Sequence, residues 1–235
     1  MARSAIFPVC RREGFSLLEL LIVVVILVII TVGIVVVNSN LVHSRAHSRS
    51  EWFIQEVRSA RETFKGENNG MYPGQDDPGL LKGSPGGKYT GSQMLASRLF
   101  GYPYTEIESD APKAKSLYLT YRADLLISKS SADRSIPKNS LADKSRSPNA
   151  LLYFPSRLNA TAPSECYKWD DNSIYVSKDA AAARREFDKN CSTDPKLNAP
   201  NNARNPGGVL IIGTGANNMY LESDDNDDLK SWDVE

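Results

Sequence analysis

One apolar run dominates the amino-terminal end of the chain. Residues 15–37 read FSLLELLIVVVILVIITVGIVVV, and no charged residue occurs from position 20 to 37. A helix over 15–37 covers about 35 Å at ~1.5 Å per residue, enough to cross a hydrocarbon core. Arg3, Arg11 and Arg12 precede the run. The excess of positive charge on that side places the amino terminus in the cytoplasm and everything after Val37 outside. The run is too long for the apolar core of a secretory signal peptide, and no Ala-x-Ala cleavage pattern follows it. A plain signal anchor accounts for the length and the arginines but not for Glu19.

The pattern then changes period. Residues 38–67 hold no proline, and Trp52, Phe53, Val57, Ala60 and Phe64 recur at helical spacing. This predicts an amphipathic helix that continues the membrane helix without a break, from 15 to 67. Asn68-Asn69-Gly70 and Pro73 are its stop signal. Farther on, 93–101 reads as a short helix and 178–190 as another. Strands are expected at 116–121, 150–155, 173–177, 208–214 and 218–223, where β-branched and aromatic residues lie between Pro, Gly or Asn. Residues 128–149 are rich in Ser and Lys and are expected to form a mobile surface loop. The fold class is α+β: a long amino-terminal helix packed on a small antiparallel sheet, in a head with extended loops.

Composition removes several alternatives. Lys+Arg and Asp+Glu both number 28 in 235 residues, so no overall basic field exists to hold nucleic acid. Mean hydropathy is −0.37 although the first forty residues are strongly apolar, so a single spanning segment carries a polar remainder. Three cysteines exclude a disulfide-dense mini-domain.

Glu19 is the anomaly in the apolar run. An ionised carboxylate inside a membrane helix costs roughly 2.5–3.5 kcal/mol on insertion scales and calls for a partner. A cut at Gly14–Phe15 would create one, because the new ammonium on Phe15 lies one helical turn from Glu19. Gly14-Phe15-Ser16-Leu17-Leu18-Glu19, after a short basic leader and before an apolar helix, resembles the processing site of type IV prepilins and type II secretion pseudopilins. The resemblance implies a pilin-like fold. A prepilin peptidase would cut after Gly14, the new terminus at Phe15 would be methylated, and Glu19 would set subunit register. It divides the chain into a leader at 1–14, a membrane and filament-core helix at 15–37, the second half of the helix at 38–70, and a periplasmic head at 71–235.

A second stretch resembles the G-type major pseudopilins. They end the long helix with Asn-Gly-x-Tyr-Pro and follow it with a Gly-Leu turn, as Asn69-Gly70-Met71-Tyr72-Pro73 and Gly79-Leu80 do. Many pilins carry a proline at the position matched by Val36. Its absence moves any loosening of the helix to Gly33. The implied role is a structural subunit of a periplasmic pseudopilus in protein export. Its partners would be the peptidase, copies of itself, other pseudopilins and an inner-membrane assembly platform. The subunit would be single-pass in a bacterial inner membrane, cytoplasmic at its amino terminus and periplasmic at its head. Two alternatives stay open: a major or minor type IV pilus subunit, and an anchored periplasmic binding module that never polymerises.

Other candidate chemistry is sparse. Processing would leave Cys166 and Cys191 as the only thiols, in an oxidising compartment. A bridge between them is expected and would stabilise by roughly 3 kcal/mol in the chain-entropy model; the alternative is two buried free thiols. Asp224, Asp225, Asp227 and Asp228 give a density of hard oxygen ligands suited to calcium. The spacing is not that of an EF-hand, since Leu229 stands where that loop needs glycine. The resemblance to G-type pseudopilins, which bind calcium near the end of the chain, favours the site; a solvated acidic tail is the alternative. His43 and His47 lie four apart, but a third ligand is missing. No Gly-x-Ser-x-Gly elbow occurs, and Gly213-x-Gly215 lacks the third glycine of a dinucleotide loop. The chain is not expected to be an enzyme.

Overall fold

The computed structural model describes residues 17–127, 136–143, 149–160, 162–176, 180–191, 203, 207–214, 220–221 and 229–230. Met1–Val42 and His43–Glu235 form two compact units. Helix α1, Leu17–Glu67, begins in the first and ends in the second. The helix matches the expected span; positions 15 and 16 lie outside the described residues. In the first unit every described side chain from Leu17 to Ile34 is exposed. Thr31 Oγ1 donates to the Leu27 carbonyl at 2.7 Å, so the hydroxyl in this apolar stretch is satisfied within its own helix.

In the second unit the amphipathic face of α1 becomes core. Phe53, Ile54, Val57, Ala60 and Phe64 are all buried. Trp52, expected on that stripe, is instead 65% exposed. It sits one residue off the buried face, and a spacing rule that tolerates both i+3 and i+4 does not separate it from Phe53. The helix stops as expected. Asn69 and Gly70 adopt φ of 54° and 75°, and the Gly70 N–H donates to the Lys65 carbonyl at 3.0 Å. That 6→1 bond satisfies a carbonyl the helix itself leaves open.

Helix α2, Gly91–Phe100, opens with a capping box: Thr90 accepts from the Gln93 N–H, and the Thr90 N–H donates to Gln93 Oε1 at 3.0 Å. Gly101 ends it in the left-handed region. The strand expected at 116–121 does not form. Lys115 and Ser116 donate backbone N–H groups to the Phe100 carbonyl, and Tyr118 and Leu119 donate to that of Leu99. The segment closes the open end of α2, which takes precedence over its β-rich composition.

Strands β1 (Leu126–Ile127) and β2 (Ser140–Leu141) form a small antiparallel pair. Part of the expected mobile loop is therefore structured: Ile136, Asn139, Leu141, Ala142 and Asp143 are buried, while 128–135 and 144–148 lie outside the described residues. Asn139 anchors the return by donating from Nδ2 to the carbonyls of Ile107 and Ser109. Strand β3, Leu152–Pro155, follows as expected. Helix α3, Pro163–Cys166, comes next. The strand expected at 173–177 is replaced by a tight 3₁₀ turn over Ser173–Tyr175. Helix α4, Ala180–Glu186, passes into a wider turn over Phe187–Cys191, together matching the expected second short helix. Strand β4, Val209–Gly213, pairs antiparallel with β3 and with β5, Leu229–Lys230. Tyr220 and Leu221 are not in a strand; the rest of the strand expected at 218–223 lies outside the described residues.

In the sheet β3-β4-β5, strands β3 and β4 are buried on both faces. Tyr153, Val209 and Ile211 point into one core with α1 and α2. Leu152, Phe154, Leu210 and Ile212 point into a second core with Ala183, Phe187 and Trp169. Alternate residues of both strands thus serve different layers, which explains why GVLIIG reads as a continuous apolar run. The molecule is α+β, an apolar amino-terminal helix followed by helices and small antiparallel sheets, in keeping with a pilin-like fold.

Candidate processing and assembly segment

The start of α1 carries the chemistry that the sequence singles out. Leu17–Ile34 has a mean hydropathy of 3.2 and is the one helix, among the described residues, long and apolar enough to cross a membrane. Glu19 lies in the first turn and is exposed. A carboxylate there faces the positive end of the helix dipole, a favourable placement. Gly14 and Phe15 fall outside the described residues, and so does the geometry of the cut.

Residues 10–35 match the family model of the prokaryotic N-terminal methylation motif. The motif covers Gly14, Phe15 and Glu19 together. It is a prepilin-type signal of type IV pilin-like proteins and implies processing by a prepilin peptidase. No curated protein and no solved structure matches the chain. The motif accounts for the amino-terminal segment, residues 10–35.

The turn after α1 is the second feature with a sequence signature. Tyr72 folds back over the last turns of the helix: its hydroxyl donates to Glu62 at 2.9 Å and accepts from Lys65 Nζ at 3.1 Å. Lys65 Nζ also lies 4.4 Å from the ring centroid. The hydrogen bond to Tyr72 raises the Lys65 pKa. Below this clamp Arg61 is buried, its guanidinium 5.5 Å from the same ring and 3.5 Å from Glu62. Burial lowers its pKa, with Tyr153 and Glu62 acting in the opposite direction. Gln75 extends the turn into the sheet. Its Oε1 accepts from the Tyr72 N–H at 2.9 Å, and its Nε2 donates to Ser156 Oγ at 2.7 Å and towards the Gly207 carbonyl at 3.2 Å. Tyr153 donates its hydroxyl to the Pro73 carbonyl at 2.9 Å. The Asn-Gly-Met-Tyr-Pro stretch is a lock between the helix end and the β3–β4 sheet.

The remaining candidates are less fully described. Asp224, Asp225, Asp227 and Asp228 lie outside the described residues, as does the side chain of Cys191. Among the described residues no group of three His, Cys, Asp or Glu could hold a metal. Cys166 is a buried free thiol whose pKa is raised by burial and lowered in part by hydrogen bonds from the Gly207 and Arg157 backbone. His47 Nδ1 lies 3.6 Å from Glu51 on the next turn.

Sequence reasoning missed Arg61, Gln75 and the pair Arg157–Asp171. Asp171 is fully buried; its Oδ1 accepts from Arg157 Nη2 and from the Gly83 N–H, both at 2.9 Å. A charged or amide side chain in a polar stretch gives no periodic signal, so nothing in the sequence marked Arg61, Gln75 and Asp171 as interior.

Proposed function

We propose that the chain is a structural subunit of a periplasmic pseudopilus in type II secretion, with no catalytic role of its own. The observation that carries this reading is the methylation motif with Glu19 in the first turn of an exposed apolar helix. An exposed stem of that length needs lipid before assembly and neighbouring stems afterwards. Cleavage after Gly14 would free the amine of Phe15, and Glu19 of an adjacent copy would neutralise it. The buried charge would then be partnered, and its position would fix the stagger between subunits. An inner-membrane platform would lift copies into the rod, and the heads would pack around it with other pseudopilins. The subunit would wait in the inner membrane, amino terminus in the cytoplasm and head in the periplasm.

The lock at Tyr72 and Gln75 and the acidic end favour secretion over a type IV pilus subunit, which remains the second reading. We also propose that Asp224, Asp225, Asp227 and Asp228 hold calcium; four carboxylates within five residues supply the hard oxygen donors such an ion takes. When bound, the ion would draw like charges together at the end of the head.

Mass spectrometry of the native amino terminus tests the core of the proposal. The expected chain begins at Phe15 with a methylated amine. A chain that keeps residues 1–14 overturns the filament reading in favour of a membrane-anchored module. Deleting the gene then separates the two filaments: retained export substrates mark the pseudopilus, and loss of surface fibres marks the pilus.

A further inference from the structure

The second unit carries a basic recess that the proposed function does not use. It encloses about 650 Å³ and is lined by Arg45, Ser48, Arg49, Trp52, Arg122 and Asp124, with Phe53 behind. Arg122 lies 3.6 Å from Asp124, while Arg45 and Arg49 are exposed and make no ion pair among the described residues. Trp52, at 65% exposure, stands between the arginines as a large apolar surface. Arginines around an exposed tryptophan are the composition of a protein-binding hot spot for an anionic partner.

The chain holds a complementary segment. Residues 222–235 contain seven carboxylates against one lysine, and a bound divalent cation would offset only two of those charges. Within the segment, Leu229–Lys230 form β5. Leu229 pairs with Gly213, and a side-chain carbon on Gly213 would lie 3.2 Å from Ile54 Cδ1. Ile54 is nine residues after Arg45, about 180° round α1 at ~100° per residue. Leu229 thus pairs with a strand residue on the Ile54 side of α1, about 180° round the helix from Arg45. A patch and a complementary segment at different places on one chain make a heterologous contact between copies, which propagates instead of closing.

We propose that the recess of Arg45, Arg49, Trp52 and Arg122 receives the acidic carboxy-terminal segment of a second copy of this chain. The contact rests on the filament reading and deepens it: it supplies a directional head-to-head bond alongside the stem register set by Glu19.

The test uses two full-length copies co-expressed in their native membrane, one carrying Ser48→Cys and the other Ser231→Cys. Mild oxidation should give a cross-linked pair that neither variant forms alone. Arg45→Glu, Arg49→Glu and Arg122→Glu together on the first copy should lower its yield about tenfold, with the melting temperature of the head unchanged. Glu222→Lys, Asp233→Lys and Glu235→Lys on the second copy, which leave the proposed calcium residues in place, should restore it. Absence of the cross-link, its persistence through the arginine reversal, or failure of the lysine rescue overturns the proposal. So does a recess that anionic phospholipid vesicles, but not a second copy, shield from an arginine-modifying reagent. The amino terminus is read in the same samples. A methylated Phe15 without the cross-link sinks the docking alone, and an uncut leader with the cross-link sinks the filament reading alone.

Discussion

Glu19 and Asp171 are carboxylates in different surroundings, and they make separate predictions. Glu19 belongs to the stem. Its replacement by Ala removes the proposed mate of the Phe15 amine but leaves Gly14 and Phe15 in place. Glu19→Ala should be cut and methylated normally yet fail to enter filaments, as read by the mass of the amino terminus and by the yield of sheared fibres. Asp171 belongs to the head. Burial raises its pKa above the ordinary carboxylate value, and Arg157 and the Gly83 N–H oppose that shift in part. A carboxyl whose folded pKa lies above its unfolded value contributes stability below about pH 4 and loses it as pH rises through the folded pKa. Asp171→Asn has no such titration. Its stability relative to wild type should therefore improve as pH is raised from 4 towards 7, measured by thermal unfolding of the full chain in detergent. A difference independent of pH would show that Asp171 does not titrate in that window.

At the scale of elements, α2 decides how closely helix and sheet approach. A Cβ on Gly91 would lie 1.7 Å from the Tyr153 carbonyl oxygen and 2.9 Å from Asn172 Nδ2. Asn172 itself bridges the two, donating to the Tyr153 carbonyl at 2.6 Å and accepting from the Ser92 N–H at 3.2 Å. Gly91→Ala must push α2 off β3, so it should destabilise by about 1–3 kcal/mol, in the range of overpacked cores. Gly66→Ala is the matched control. A side chain there meets nothing within 4 Å, and the site is helical, so it should gain up to ~1 kcal/mol. Melting midpoints moving in opposite directions would bear out both. The same elements show where sequence patterns mislead. Residues 116–121 have strand composition, but the open carbonyls of Leu99 and Phe100 recruit their N–H groups. The stretch at 136–143 has loop composition, but Asn139 and Leu141 are drawn inward by contacts from distant parts of the chain.

For the whole molecule, the proposed calcium site at the acidic end makes a prediction of its own. If calcium is held by Asp224, Asp225, Asp227 and Asp228, the melting midpoint of the full chain should rise with millimolar calcium and fall with chelator. At a calcium concentration 100 times the dissociation constant the linkage is about 2.7 kcal/mol. A midpoint that does not move removes the site. Asp224→Asn with Asp228→Asn should abolish the shift without lowering the metal-free midpoint.

What the sequence determined by itself was everything that depends on near neighbours in the chain. The spanning helix and its Glu19, the stop at Asn69-Gly70, the apolar stripe through Phe53, Val57 and Phe64, and the strands around 152–155 and 209–213 all follow from local spacing and backbone preference. Only the tertiary structure decided that Trp52 stays in water, that Arg61 and Asp171 go inside, and that Gln75 ties the helix end to the sheet. Those outcomes depend on which distant donors and acceptors come within about 3 Å once the two cores close, and no periodicity along the chain encodes that distance.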